Sequence, residues 1–219
     1  MAIQKIKTFT NIGLQWYEIV IEADANRSLP TIDIIGLPDA AIKEAKERIR
    51  GTFRHVGVQI PAHKIILNLA PSDIRKEGTR FDVPMAVALL MLCRDGETTY
   101  PDQVRNALFF WELWLDGVVK RIDGLLPSVL NAVRQGYKTF FIPAENIYEV
   151  EYIADIAVYP VWHFGQVVDH LAGRQDIIPL DTGKNIDELY KVTHHIEADF
   201  AHIKGHLLAK RALGVAAAG

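Results

Sequence analysis

The stretch NLAPSDIRKEGTRFDVPMAVALLMLC, residues 68–93, carries the strongest structural signal in the chain. Its second part, Phe81–Cys93, is almost entirely apolar, with Asp82 at its start and Pro84 in the first turn, where a helix does not need the missing N–H. A helix that is apolar on all sides belongs inside a domain. We therefore predict that Phe81–Cys93 is the central helix of a globular core and that the polar segment Ala70–Arg80 leads into it.

Strand and helix signals alternate upstream of this stretch. Gln15–Ala23 and Thr31–Ile35 are rich in β-branched and aromatic residues, and Lys64–Leu69 is a short apolar run typical of a strand buried on both faces. Ala40–His55 has apolar residues at helical spacing, and Asp39 is a suitable N-cap for it. The apolar positions of that helix are Ile42, Ala45, Ile49 and Phe53.

The same alternation continues downstream of the central helix. Asn106–Leu115 is predicted to be a strand, and Asp116-Gly117 a tight hairpin turn into a second strand, Val118–Ile122. The remaining elements are a helix at Pro127–Gln135, strands at Thr139–Ile142 and Ala157–Tyr159, and a helix at Phe164–Leu171. We predict an α/β (α+β) domain over residues 1–172, in which helices pack on a layered mixed sheet.

The C-terminal part has a different character. Residues 173–198 are rich in acidic side chains and have no regular period, which predicts a linker. Residues 199–219 are predicted to start a further module, because Ile203–Gly219 has a helical period and is still apolar at the last residue. We expect the parent protein to continue beyond this point.

Composition limits the classes of protein that fit. The chain has 219 residues, 49% of them hydrophobic, and a net charge of −3, which excludes a strongly basic surface that coats nucleic acid. Cys93 is the single cysteine, so neither an intrachain disulfide nor a thiolate metal cluster can form. The sequence has no run of the ~20 apolar residues that a membrane span needs, and the start MAIQKIKTFT is not a signal peptide. We expect a cytoplasmic protein with no membrane partner.

Three stretches carry a family resemblance: Ile35–Arg50 (IGLPDAAIKEAKERIR), Asn68–Leu89 (NLAPSDIRKEGTRFDVPMAVAL) and Asp199–Gly219. They resemble the N-terminal part of the ComM-type, Mg-chelatase-like AAA+ ATPases. The resemblance implies a Lon-protease-like domain, with the fold of ribosomal protein S5 domain 2, in front of an AAA+ module. It also implies a hexameric bacterial helicase that migrates DNA branches during natural transformation.

The resemblance assigns the last segment to the start of the AAA+ module. Ile203, Lys204 and Gly205 lie where that family lines the adenine pocket, although His206 stands where relatives commonly have Gln. The chain has no G-x-x-x-x-G-K-[ST] loop to hold the phosphates of a nucleotide. ATP and Mg²⁺ are therefore expected as cofactors of the full-length parent only. Its expected partners are this chain's own AAA+ module, further copies in a homo-hexamer, and DNA.

The resemblance to Lon also raises the question of peptidase activity. Lon peptidases use a Ser nucleophile and a Lys base, and aligning their motifs with this chain places Arg80 at the position of the Ser and Ser128 at that of the Lys. A guanidinium stays protonated and cannot attack a carbonyl, and a hydroxyl is not a base for it. We predict that this chain has no catalytic residues and is not an enzyme. A surviving Ser-Lys peptidase is the alternative.

A basic group is the candidate nucleic-acid interface. Arg75, Lys76 and Arg80 cluster just before the central helix, and each phosphate contact would make DNA binding sensitive to salt. The alternative is that these cations pair with carboxylates of the domain, for example Arg80 with Asp82, because acidic residues are interleaved with them. A protein-interaction module with no role in DNA binding is also consistent with the sequence.

Two other groups of residues have simpler interpretations. His194-His195 and the pair His202 and His206 have no accompanying H-E-x-x-H pattern, so we predict no metal site. Four aromatic residues surround one predicted strand: Phe109, Phe110, Trp111 and Trp114. We expect those that point inward to be core residues and the others to belong to an interface.

Overall fold

The computed structural model describes residues 3–12, 15–76, 78–94, 102–185, 200 and 203–218. The chain divides into two compact units, Met1–Lys184 and Asn185–Gly219. The strands are β1 Gln4–Ile12, β2 Gln15–Asn26, β3 Thr31–Ile35, β4 Lys64–Ala70, β5 Leu108–Phe109, β6 Thr139–Pro143 and β7 Ala157–Val161. The helices are α1 Ala40–His55, α2 Asp82–Cys93, α3 Asp102–Arg105, α4 Leu125–Arg134, α5 Ile147–Val150, α6 Phe164–Leu171 and α7 Leu207–Ala218, with single 3₁₀ turns at Thr79–Phe81 and Ala144–Asn146.

The first unit contains two sheets. Four strands form a mixed sheet in the order β1-β2-β4-β3, in which only β3 and β4 run parallel. The short strands β5, β6 and β7 form a second sheet that is entirely parallel. This confirms the predicted mixed α/β class, with sheets that combine parallel and antiparallel pairs and with helices packed against them.

Strand β1 was not predicted from the sequence. Its buried side chains include Gln4, Thr8 and Thr10 as well as Ile6. Because polar residues occupy the buried positions, the apolar/polar alternation that identifies a half-buried strand is weak here. The strand forms because it pairs along its whole length with β2.

The prediction that β4 is buried on both faces is wrong. Ile65, Leu67 and Leu69 are fully buried, whereas the alternate residues are only half-buried. The strand thus has one face in the core and one partly open face, as is common in sheets that contain antiparallel pairs.

The core of the first unit is built around α2. Every residue from Asp82 to Leu92 is buried, which confirms the predicted central helix. Helix α1 packs beside it through Ile42, Ala45, Ile49 and Phe53, as its spacing predicts. Asp39 caps α1, since its Oδ1 accepts a hydrogen bond of 2.8 Å from the backbone N–H of Ile42.

The predicted hairpin over residues 106–122 is wrong. Only Leu108–Phe109 is a strand, and the following residues are tied to other elements. Thr52 on α1 donates to the carbonyl of Trp114 at 2.7 Å, and the N–H of Val119 donates to the carbonyl of Trp162 at 2.9 Å. These contacts tie the segment 110–119 to α1 and to Trp162, in place of the pairing that the predicted hairpin requires.

The first unit extends past residue 172. The N–H of Leu180 donates to the carbonyl of Val158 on β7 at 2.7 Å, and Lys184 forms an ion pair of 2.6 Å with Glu151. The first residues of the predicted linker therefore pack on the domain. The division into domain, linker and AAA+ start remains a prediction.

The second unit contains α7, whose residues Leu207, Leu208, Leu213 and Val215 are between 56% and 84% exposed. The predicted helical region 203–219 thus includes a helix that begins at Leu207. No helix in the described ranges is long and apolar enough to cross a membrane.

Candidate functional site

A cleft of about 700 Å³ opens in the first unit where β1, the turn before α2, the segment after β5 and the start of α4 meet. It brings together residues that are far apart in the sequence. Its lining comprises Thr8, Phe9, Trp16, Gly78, Thr79, Arg80, Phe110, Trp111, Glu112, Arg121, Ile122, Asp123, Gly124, Pro127 and Ser128. It is therefore a concave site with both aromatic and charged walls.

The cleft contains both residues that the Lon resemblance singles out. Arg80 and Ser128 lie 48 positions apart in the sequence and line the same cavity. Ser128 lies in the first turn of α4, and its hydroxyl donates to the carbonyl of Gly124 at 3.0 Å. The loop that carries Arg80 is held by Asp39, whose Oδ2 accepts a hydrogen bond of 3.0 Å from the N–H of Gly78. The cleft thus brings Arg80 and Ser128 together, and Asp39 anchors the loop that carries Arg80.

Lys76 is a buried structural residue, which makes it less suited to contact DNA than Arg75 or Arg80; the contact of this group with DNA stays a prediction. Its side chain is fully buried, and its Nζ donates to the carbonyls of Gly36, at 3.0 Å, and Pro71. Burial lowers the pKa of its ammonium group, and the nearby carboxylate of Asp73 opposes that effect. Arg75 and Arg80, in contrast, are exposed residues.

A buried ion pair lies at the start of α2. Asp82 is fully buried, and Arg48 on α1 reaches it with Nε at 2.5 Å from Oδ2 and Nη2 at 3.1 Å from Oδ1. Desolvation raises the pKa of Asp82 to about 6 despite the opposing effect of Arg48. The sequence suggested Arg80 for this carboxylate, whereas the structure places Arg48 there.

Charged side chains of both signs surround the mouth of the cleft. Thr79 donates to Glu112 at 2.7 Å, and Arg121 lies 3.7 Å from Asp123 and 4.0 Å from Glu149. Arg121 also lies over the ring of Tyr148, 5.6 Å from its centroid. These contacts hold Arg121 loosely, since charge-assisted hydrogen bonds are about 2.7–2.9 Å long.

The aromatic residues near β5 divide as expected. Phe109 and Trp111 are core residues, 1% and 2% exposed, and Trp114 is 50% exposed. Among the described residues, the indole N–H of Trp111 has no hydrogen-bond partner. Sequence reasoning assigned Trp111 to packing alone and did not consider Arg121, because neither residue belongs to a motif.

The proposed edge of a nucleotide pocket lies in the second unit. Ile203, Lys204 and Gly205 are exposed and come just before α7. His194, His195 and His202 lie outside the described residues. Within the described ranges, no three His, Cys, Asp or Glu side chains form a group that could hold a metal ion.

The two sheets, the buried helix α2 and the cleft define a mixed α/β domain in which Arg80 and Ser128 line one cavity. The family model described as subunit ChlI of Mg-chelatase matches residues 21–146, which is more than half of the chain. The chain belongs to this family.

The relatives that the chain resembles are longer proteins. Competence protein ComM of Haemophilus influenzae is 30% identical over 219 residues, which cover all of this chain and 42% of ComM. Protein YifB of Escherichia coli K12 is 30% identical over 219 residues, with 41% of its length covered. An uncharacterized protein of Mycobacterium tuberculosis, Rv2897c, is 32% identical over 220 residues, with 42% of its length covered. The chain thus spans about two fifths of these relatives.

Proposed function

We propose that this chain is the non-catalytic N-terminal domain of a ComM-type AAA+ helicase that migrates DNA branches during natural transformation in the cytoplasm. In this proposal an AAA+ module that follows the domain binds ATP and Mg²⁺ and hydrolyses ATP, with Ile203, Lys204 and Gly205 at the edge of its pocket. The domain helps to assemble a homo-hexameric ring and guides DNA. The observation that carries the proposal is that the cleft contains Arg80 and Ser128 in place of a Ser-Lys dyad.

The chemistry of the cleft supports a non-catalytic role. A dyad needs a hydroxyl within hydrogen-bond distance of a neutral amine. The buried amine nearest in sequence to Arg80 is that of Lys76, and it is engaged by the carbonyls of Gly36 and Pro71. The hydroxyl of Ser128 donates to Gly124 within its own helix. Neither group is arranged to generate a nucleophile.

We therefore expect the chain to have no peptidase activity. Unfolded casein and a fluorogenic peptide, incubated with the chain at pH 7–9, should be cleaved no faster than in buffer. The variants Arg80→Ser and Arg80→Ser/Ser128→Lys serve as comparisons, because they place the residues of a dyad at the two positions. Sustained cleavage by the unaltered chain that disappears in Arg80→Ala would contradict the proposal.

Exposed arginines beside the cleft support a contact with DNA. Arg75 and Arg80 are both exposed and lie in the same loop before α2. Each lysine or arginine that neutralises a phosphate releases counterions, so its contribution to binding falls as salt is added. With Lys76 buried, two residues of the predicted group of three remain as candidates.

Arg75→Ala/Arg80→Ala is expected to weaken the binding of branched DNA about tenfold at 50 mM salt, because two phosphate contacts are lost. The slope of log affinity against log salt concentration should fall by about 2. Electrophoretic mobility shifts over a series of salt concentrations measure both quantities. Arg27→Ala/Arg134→Ala removes two exposed charges elsewhere and should leave them unchanged.

A second candidate function, a protein-interaction module, is supported by an exposed apolar group. Trp114, Leu115 and Trp162 are between 50% and 61% exposed, and the backbone segments that carry them are hydrogen-bonded to each other through Val119 and Gly117. Such a surface suits contact with another subunit of a ring. If the double arginine variant binds branched DNA as the unaltered chain does, the interaction function is favoured over guidance of DNA.

A further inference from the structure

Trp111, one of the residues that line the cleft, carries a hydrogen-bond donor for which the described residues supply no acceptor. Trp111 lines the cavity, is 98% buried, and its indole N–H has no partner among them. A buried N–H that lacks an acceptor is destabilising, so such groups are uncommon in folded proteins. The donor is therefore a sign of a ligand that brings an acceptor.

Two guanidinium groups share the cleft with this donor. Arg80 and Arg121 both line it, and Arg121 is about half exposed, with long ion pairs to Asp123 and Glu149. Guanidinium groups bind carboxylate and phosphate through two parallel hydrogen bonds. Together with the indole N–H, they provide donors that match the oxygen atoms of an oxyanion.

Two carboxylates also line the cleft, and their negative charges would repel a bound anion. Asp123 is 98% exposed, so its charge is largely screened by solvent. Glu112 accepts a hydrogen bond from the hydroxyl of Thr79, which fixes its carboxylate in the cleft. It would therefore repel a bound anion more strongly than Asp123 does. This arrangement makes Glu112 a test of the sign of the ligand's charge.

The size and walls of the cleft indicate what else the ligand carries. A volume of about 700 Å³ exceeds the need of a single phosphate or carboxylate, and the rings of Phe9, Trp16 and Phe110 line it. An apolar or aromatic body attached to the anionic group would pack against these rings.

We infer that the cleft is a binding site for a small ligand that joins an oxyanion, either phosphate or carboxylate, to an aromatic or apolar body. Arg80 and Arg121 bind the oxyanion, the Trp111 N–H donates to one of its oxygens, and the aromatic rings contact the body. This inference goes beyond the proposed role in a helicase and does not depend on it.

Three probes with the same ring test this inference on the full 219-residue chain. Phenyl phosphate represents the phosphate source, phenylacetate the carboxylate source, and phenylacetamide is the neutral control. Isothermal titration calorimetry at constant ionic strength should show saturable binding of at least one anion in the micromolar to millimolar range, and at least about tenfold weaker binding of the amide. Whichever anion binds more tightly identifies the source.

Variants of the lining residues locate the site. Arg121→Gln and Trp111→Phe should each weaken binding of the preferred anion about tenfold, and Arg121→Lys should recover only part of the loss. Glu112→Gln should strengthen binding, whereas Arg134→Gln, an exposed arginine at the end of α4, should not alter it. Because Arg121 is exposed, its variants are expected to fold normally, and thermal unfolding checks this for Trp111→Phe.

The inference is overturned if neither anion binds at up to 10 mM, if the amide binds as well as the anions, or if Arg121→Gln leaves the affinity unchanged. Weaker binding of the anion in Glu112→Gln would also overturn it, since removal of a carboxylate that repels the bound anion should strengthen binding. These outcomes are separate from those of the DNA experiment, which uses other variants and a polymeric ligand.

Discussion

Replacing Arg48 by Met is expected to lower the free energy of unfolding by about 3–5 kcal/mol at pH 7. The variant keeps the aliphatic part of the side chain and removes the guanidinium that lies 2.5 and 3.1 Å from the carboxylate oxygens of Asp82. Asp82 is fully buried and cannot turn to solvent, so it must either stay ionised without a partner or take up a proton. Urea denaturation at pH 7 measures the loss.

Arg50→Met is the matched control for this substitution. Arg50 lies two residues further along α1 and pairs with Glu47 at 3.1 Å, but both side chains are exposed. Exposed pairs of this kind contribute only about 0.2–1 kcal/mol. If Arg48→Met lowers the free energy of unfolding no more than Arg50→Met does, loss of the buried pair is no more costly than loss of an exposed one.

A double variant separates the loss of the ion pair from the loss of packing. In Arg48→Met/Asp82→Leu neither charge remains, so no carboxylate is left unpaired in the core. Replacement of a buried ion pair by apolar side chains of similar size is often neutral or stabilising. We expect the double variant to be more stable than Arg48→Met alone. If it is less stable than the unaltered chain, the ion pair is net stabilising relative to the apolar pair.

The regular elements were the most predictable part of the fold. Helix α2 is apolar at almost every position and is buried on all sides, and α1 buries the four apolar residues that recur at helical spacing. Strand β1 was missed because threonines and a glutamine occupy its buried positions. The hairpin was wrong because Thr52 and Trp162, both distant in sequence, hold the segment after β5.

The burial and the partners of individual charged side chains could not be predicted from the local sequence. Lys76 and Arg48 both occur in runs of charged residues, which usually are solvated, yet Lys76 is fully buried and Arg48 pairs with a buried carboxylate. The decisive partners are Gly36, Pro71 and Asp82, and only the tertiary structure brings them near. A sequence pattern predicts whether a stretch is mostly polar or apolar, but it does not predict the contacts of one side chain.

The candidate cleft was partly predictable. Arg80 and Ser128 were identified through the resemblance to Lon peptidases, and the structure brings both to one cavity. Trp111 and Arg121 were missed, because their importance depends on an indole N–H without an acceptor among the described residues and on shared lining of a cleft. Neither property has a signature in the sequence.

We compare the free energy of unfolding of the unaltered chain with that of the variant Asp82→Asn. The difference is expected to shift in favour of the unaltered chain as the pH falls from about 7 to 4. The pKa of Asp82 is about 6 in the folded chain and has its ordinary value of 3.8 when unfolded. Between these values the folded chain binds the extra proton, and a state that binds more protons is favoured as the pH falls. One pH unit is worth about 1.4 kcal/mol, so the full gain is about 3 kcal/mol.

Urea denaturation of both proteins at half-unit pH intervals measures this difference. All other titrating groups are common to the two chains and largely cancel, which isolates the contribution of Asp82. The result decides between two opposing effects on one carboxyl group, since desolvation raises its pKa and Arg48 lowers it. If the chain instead loses stability relative to Asp82→Asn on acidification, the folded pKa lies below 3.8 and the ion pair with Arg48 outweighs the cost of burial.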